Sequence, residues 1–295
     1  MGVKKLRGHW GGAWLAKRAP RPKITVMRRF VTLLLGLLSY ETIPASAQQA
    51  TQVHLAYDTY AVGIEVMQMH VYFGLGPWNY QVNLDYHTTG LVGLFYRGQQ
   101  VNTVRGAWDE RGPRPLEFFG EGVWRGQARR TLIDYDHGQP EIRSLVPPQE
   151  SEREPVPLEL RAHTMDTLSA LVQLMRRVEQ AGSCETHVRT YDGRRVLDVA
   201  AHTGQREELD PTHGSIFHGP ALRCDFEGSE LAGFLIGEDD PEHRRPLHGS
   251  AWLAPMMPGA PPLPVRIAFQ TRWFGLTSMY LTAASREPLE GIAHN

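Results

Sequence analysis

Residues 78–87 read Trp-Asn-Tyr-Gln-Val-Asn-Leu-Asp-Tyr-His. Trp78, Tyr80, Val82, Leu84 and Tyr86 alternate strictly with Asn79, Gln81, Asn83, Asp85 and His87. Period two with bulky residues on one side describes a strand with one dry and one wet face. The stretch before it, Gly63 to Phe73, carries Ile64 and Val66 on one side and Met67, Met69, Val71 and Phe73 on the other. A strand apolar on both faces has to be covered on both, by a helix, a second sheet or a ligand. Further strands are expected at Val101–Trp108, Pro115–Trp124, Ala128–Tyr135 and Glu141–Val146. Gly-rich and Asp-Gly-type turns separate them, and no β-α-β alternation runs through them. The chain is therefore read as mainly β, a barrel or a sandwich, and not as a doubly wound nucleotide fold.

One helix interrupts this pattern. After a polar, acidic, Pro-rich loop from Val146 to Pro157, Asp166 is placed to cap a helix over about 166–181. Leu168, Leu171, Met175 and Val178 recur at helical spacing, Leu174 widens the stripe, and Gly182 ends it. The stripe needs a surface, and the strand near Met67 is a natural candidate that sequence alone does not pair with it.

The first fifty residues behave differently. Met27 opens a segment with Arg28 and Arg29, an apolar run from Phe30 to Leu38, and Ala45-Ser46-Ala47. That is the layout of a secretory signal with cleavage after Ala47. An apolar run of about nine residues falls short of the ~20 that a spanning helix needs, so no integral membrane span is expected in the mature chain. Residues 1–26 are read as a mis-assigned extension, 27–47 as the signal, and 48–295 as a single periplasmic β-rich domain. The chain carries 31 basic and 32 acidic residues; nine basic and one acidic precede residue 48, which leaves 22 against 31, a net of −9. Such a balance argues against a nucleic-acid or anionic-lipid partner held by bulk charge.

Asp192-Gly193, between Glu185–Tyr191 and Arg194–Ala201, is a hairpin signal. Cys184 and Cys224 are the two cysteines, and in an exported chain such a pair is expected to form a disulfide. A redox pair would call for C-x-x-C spacing, and a metal site would have to draw on His187.

Several stretches in a fixed order carry a resemblance: Asp166 with Ser169 and Ala170, Cys184, Asp192 to Arg195, Cys224, Ala232 to Phe234, and Leu263 to Arg266, preceded by Tyr57 to Val66. Over roughly residues 57–282 the chain resembles a domain-of-unknown-function family of Gram-negative cell-envelope proteins. It departs from the family at Thr167, where a Pro is frequent. The resemblance implies a curved antiparallel sheet or half barrel around one packed helix, similar in kind to lipoprotein-carrier (LolA/LolB-like) folds. It implies no activity.

Catalytic layouts are missing: there is no G-x-S-x-G elbow, no H-E-x-x-H helix, and no lysine beyond residue 23 for a phosphate loop. His213, His218, His243 and His248, with Glu238, Asp239, Asp240 and Glu242, read as a solvated polar loop rather than a metal site, for want of ligand spacing. The Pro-rich stretch from Ala254 to Pro264 reads as a rigid connector. No cofactor is called for. Three functions remain open. The first is a non-enzymatic binding or carrier protein for a lipid or other hydrophobic ligand, or an envelope component, with an apolar pocket at Met67, Met69, Trp78, Tyr80 and Tyr86. The second is an envelope-assembly or structural factor acting through protein partners. The third is a hydrolase drawing on His187, Asp192 and Asp198.

Overall fold

The computed structural model describes residues 51–95, 97–237, 244–271 and 275–288. The expected signal, its expected cleavage point and the segment before them lie outside these residues, as do Glu238, Asp239, Asp240, Glu242 and His243.

Seven strands form the first half of the domain: β1 (Thr51–Ala61), β2 (Ile64–Leu75), β3 (Asn79–Thr88), β4 (Gly98–Asp109), β5 (Gly112–Trp124), β6 (Gln127–Asp136) and β7 (Gln139–Val146). A short helix, α1 (Gly90–Phe95), joins β3 to β4. The crossing segment holds α2 (Leu158–Arg161) and α3 (Thr167–Ala181). Six strands follow: β8 (Thr186–Tyr191), β9 (Val196–Leu209), β10 (Gly219–Ala232), β11 (Leu247–Ala254), β12 (Leu263–Thr271) and β13 (Gly275–Pro288). All belong to one sheet, ordered β7-β6-β5-β4-β3-β2-β1-β13-β12-β11-β10-β9-β8. Every neighbour in that order is antiparallel. Two meanders are thus fused through the β1–β13 pair, which brings residues 51–61 against 277–288.

The sheet curls around α3. Bulges at Ala56/Tyr57, Arg105/Gly106, Leu132/Ile133 and Trp252/Leu253 interrupt the ladders, and a bulge bends its strand and adds twist. At one of them Gly106 lies directly beneath the Tyr80 ring, where any side chain would collide. The helix packs against β4 and β5 of one meander and β8 of the other, and not chiefly against β2 near Met67, the surface expected for its stripe. It buries Leu168, Val172, Leu174, Met175 and Val178. Leu171, placed on the stripe by periodicity, is partly buried, and Val172 lies deeper. The Asp166 carboxylate accepts the Ser169 backbone N–H at 2.8 Å, and Gly182, in the left-handed region, closes the far end by donating to the Val178 carbonyl.

The edge strands β7 and β8 do not pair with each other. Side chains and a strap join them instead. Ile133 and Tyr135 of β6 form a second core with Tyr191, Val196 and Ala232 of the opposite meander, with Val156 of the strap among them. The strap, residues 147–166, hydrogen-bonds to the edge strand β8, Met165 N–H to the Arg189 carbonyl and Tyr191 N–H to the Met165 carbonyl, and to the segment after β10, Glu154 N–H to the Phe234 carbonyl and Ile236 N–H to the Glu152 carbonyl. The Met165 bonds occupy part of the β8 edge, which would otherwise recruit a foreign strand. The stretch from Val146 to Pro157, expected as a surface loop, is part of this closure.

The cysteines form a disulfide, with Cα atoms 5.5 Å apart and both residues fully buried. It ties the end of α3 to β10 and leaves no thiolate for a metal. The Pro-rich connector packs Met256, Met257 and Ala260 onto the core near the same end of the helix. Replacing Cys184 and Cys224 together by Ser is expected to lower stability by up to about 4 kcal/mol, the chain entropy released by opening a loop of about forty residues. Urea unfolding of the double variant against the oxidised protein measures it.

Candidate functional site

At the end of the half barrel where α3 begins, the interior is not filled. A cavity of 360 Å3 lies between the first turn of α3, the concave face of β3–β6 and the β8–β9 hairpin. Its apolar wall is Leu84, Phe118, Trp124 and Leu168; its polar wall includes Gln100, Asn102, Thr131, Arg129 and Arg194. Alternation explains the composition. Leu84 and Asn102 are register partners, as are Tyr86 and Gln100, so all four project from the same face.

Two polar networks border the cavity. The first is buried. Ser169 donates its hydroxyl to the Asp166 carboxylate at 2.5 Å, which leaves its oxygen to accept from Tyr80 at 2.7 Å. This chain fixes the start of α3 to β3. Burial raises the Asp166 carboxyl above its ordinary value, against the hydrogen bonds from Ser169, and burial also raises the Tyr80 phenol.

The second network lies at the seam. Arg129 of β6 makes two bonds of 2.6 Å to the Glu152 carboxylate, while Arg194 reaches the same carboxylate at 3.4 Å and the Pro147 carbonyl at 2.8 Å. Arg153 beside it pairs with Glu230 at 2.9 Å and with the Gly233 carbonyl at 2.6 Å. Partial burial disfavours the Glu152 charge, but the Arg129 hydrogen bonds and the Arg129, Arg194 and Arg153 charges outweigh it and hold this carboxyl below the usual range. Arg129 Nε is buried and makes no hydrogen bond among the described residues.

The Asp192-Gly193 turn belongs to the frame of this site. Asp192 accepts the backbone N–H groups of Arg194 and Arg195, both at 2.9 Å, and pairs with the Arg195 guanidinium at 3.0 Å. Gly193, at φ 89°, lies against Thr131, Ile133 and Leu145 of the opposite meander. Only a residue without Cβ fits that conformation and that approach. His187 and Asp198 do meet, at 3.0 Å across the β8–β9 hairpin, but the pair is exposed. Asp192 is five residues further along, about 17 Å at strand rise, so the three do not form one site. Among the described residues no three His, Cys, Asp or Glu side chains are placed to hold a metal.

The five residues expected to line a pocket are dispersed. Met69 packs on the main core from the concave face; Met67, two residues along, is half-buried on the same side. Tyr80 is buried under α3. Tyr86 comes nearest the cavity, its hydroxyl donating to Gln100 at 3.2 Å. Trp78 does not share that face. The strand begins at Asn79, and Trp78 stands 81% exposed in the preceding turn at the other end of the barrel. The second face of β2 is covered only in part: Val66 is buried beside α1, while Ile64 is exposed. The meeting of Arg129, Glu152 and Arg194 escapes sequence reasoning, which reaches Arg194 only as part of the Asp192 to Arg195 stretch, because nothing local links residues so far apart.

The two carboxyls predict opposite responses to pH. Glu152, with its folded value lowered, stabilises above the unfolded value, and that contribution is lost as pH falls through the folded value. Glu152→Gln is expected to cost about 1–3 kcal/mol near neutrality, a difference that closes in acid. Asp166, with its folded value raised, contributes fully below the unfolded value and loses that contribution as pH rises through the folded one. Asp166→Asn is expected to flatten the decline of stability with pH from about 4 upward. Urea midpoints of both variants across that range check the two signs.

The family model for a protein of unknown function, DUF3108, matches residues 53–282. No curated protein matches the chain. Among solved structures, the beta-barrel-like protein of domain of unknown function DUF1849 from Brucella abortus is similar at 11% identity and a TM-score of 0.49, over 81% of this chain and 99% of that one. Among the described residues no helix is long and apolar enough to cross a membrane. With its family model spanning the sheet from β1 to β13, the chain belongs to the DUF3108 family of proteins of unknown function.

Proposed function

We propose that this is an exported, non-enzymatic binding or carrier protein that holds an amphipathic molecule inside the half barrel. The observation that carries the reading is the cavity at the start of α3, with an apolar wall and an arginine pair at its seam. At 360 Å3 it falls in the range of ligand pockets, which combine an apolar lining with a few placed polar groups. Leu84, Phe118, Trp124 and Leu168 would take the apolar body. Arg129 and Arg194 would face a polar or anionic head, sharing it with Glu152. Export to the periplasm is supported by the signal layout before residue 48 and by the disulfide, which oxidising compartments favour.

Native mass spectrometry of the full-length gene product purified from its own source, followed by organic extraction, tests it. The expected result is a bound amphiphile that is absent from Leu84→Trp, which fills the cavity, and retained by Trp78→Ala, which does not touch it. Gln100→Trp serves as a second filling variant where Leu84→Trp is destabilised. An apo mass for the unaltered protein with no extractable amphiphile overturns the carrier reading. So does a bound species that both filled variants keep.

A further inference from the structure

The same end of the half barrel carries an unusual surface. Three neighbouring turns end there: the β1–β2 turn, the β3–β4 connection with α1, and the start of β13. Ala61 pairs with Ile64 and with Thr277, and Thr89 donates its N–H to the Val66 carbonyl, so the three lie side by side. Their tips present Val62, Ile64, Leu91, Leu94, Phe95 and Leu276, each between 52% and 82% exposed. Large apolar residues scattered singly over a surface call for no explanation, but six grouped at adjacent tips do.

We infer that these tips insert into the surface of a lipid bilayer and present the open end of the barrel to it. The inference goes beyond the carrier reading and stands on the exposed tips, although carriage of a lipid would give the docking its use. The chemistry of the patch selects the partner. Among the described residues of the patch, five of the six large exposed side chains are aliphatic, whereas protein-binding hot spots favour Trp, Tyr and Arg and are poor in Leu and Val. From residue 88 to residue 98 the chain has no acidic residue and one base, the exposed Arg97. Glu65, the nearest carboxylate, is taken up by Gln68 at 3.2 Å and Thr89 at 3.0 Å. A groove of 520 Å3 at the base of α1, lined by His87, Leu94, Arg97 and Val123 among others, lies where a headgroup phosphate would meet Arg97. An apolar, acid-free set of protruding tips with a cation behind it suits the boundary between headgroups and acyl chains. Trp78, equally exposed, lies at the opposite end and supplies an internal control.

The test is flotation of the mature chain with vesicles of equal parts phosphatidylethanolamine and phosphatidylglycerol, and separately with phosphatidylcholine vesicles. The protein is expected to float with both and to remain bound at high salt, because apolar insertion dominates. Leu94→Asp and Phe95→Asp are each expected to weaken partitioning about tenfold or more, and Trp78→Asp to leave it unchanged. Leu91→Asp provides a third tip variant should one of these fail to fold, as judged by its urea midpoint. Unaltered protein that stays with the soluble fraction overturns the inference, as does flotation that folded tip variants keep. Self-association lost in the tip variants, without flotation of the unaltered protein, also overturns it and assigns the patch to a second copy. The cavity-filled Leu84→Trp is expected to float normally, so failure of docking and failure of the carrier reading are read separately.

Discussion

Everything in this domain depends on burying one helix inside one sheet. A single sheet has two faces and, here, a single long helix to cover one of them. The concave face is dry where α3 lies in it, and the helix is stable because the sheet curls far enough to meet it from both meanders. An isolated fifteen-residue helix is marginal in water; its amphipathic stripe is what the surrounding strands stabilise. The curl is built into the strands through bulges and a glycine beneath Tyr80, and the helix is held at a defined height by Asp166, Ser169 and Tyr80. Position along the barrel axis then decides what remains unfilled. From Val172 onward the helix fills the interior, and ahead of Leu168 it does not.

The closure of the barrel follows a different rule from the sheet itself. Eleven of the twelve strand junctions join sequence neighbours, and the β1–β13 pair joins the two ends of the described chain. The thirteenth junction, which would complete a cylinder, is never made. Its place is taken by a strap whose backbone bonds to β8 and to the segment after β10, by a small core of side chains from both meanders, and by the Arg129–Glu152–Arg194 cluster. A junction built from side chains and ion pairs tolerates variation in width that a ladder of backbone bonds does not. The cavity borders this junction.

How much of this is legible in the chain depends on the range of the interaction responsible. Local signals read well. The alternation from Tyr80 to Tyr86, the cap and stripe of α3, the left-handed Gly182 and the Asp192-Gly193 turn are each fixed by neighbours within a few residues. The disulfide was readable because two cysteines admit one intramolecular pairing. Trp78 misleads for a local reason: it keeps the phase of the strand, but the strand starts one residue later, and a phase argument carries no information about where a strand begins. The cavity walls are different in kind. Leu84, Phe118, Arg129, Leu168 and Arg194 converge only because the sheet curls and the strap crosses, and no periodicity in the sequence encodes either. The exposed tips were hidden by their own composition, since Leu91 to Phe95 looks like core to any reading that lacks a fold.

The disulfide has a consequence for motion that its contribution to stability does not express. It fastens the C-terminal end of α3 covalently to β10, beside the connector that packs Met256 and Met257. The N-terminal end is held only by hydrogen bonds and packing. The helix is therefore a cantilever: clamped at one end, pinned by reversible contacts at the other. Any rocking that leaves the fold intact has its fulcrum near Cys184 and its largest excursion at Asp166. That excursion sweeps the volume between Leu168 and the seam, so the one covalent cross-link of the domain sets where the interior can change size, at the end of the molecule opposite to its own.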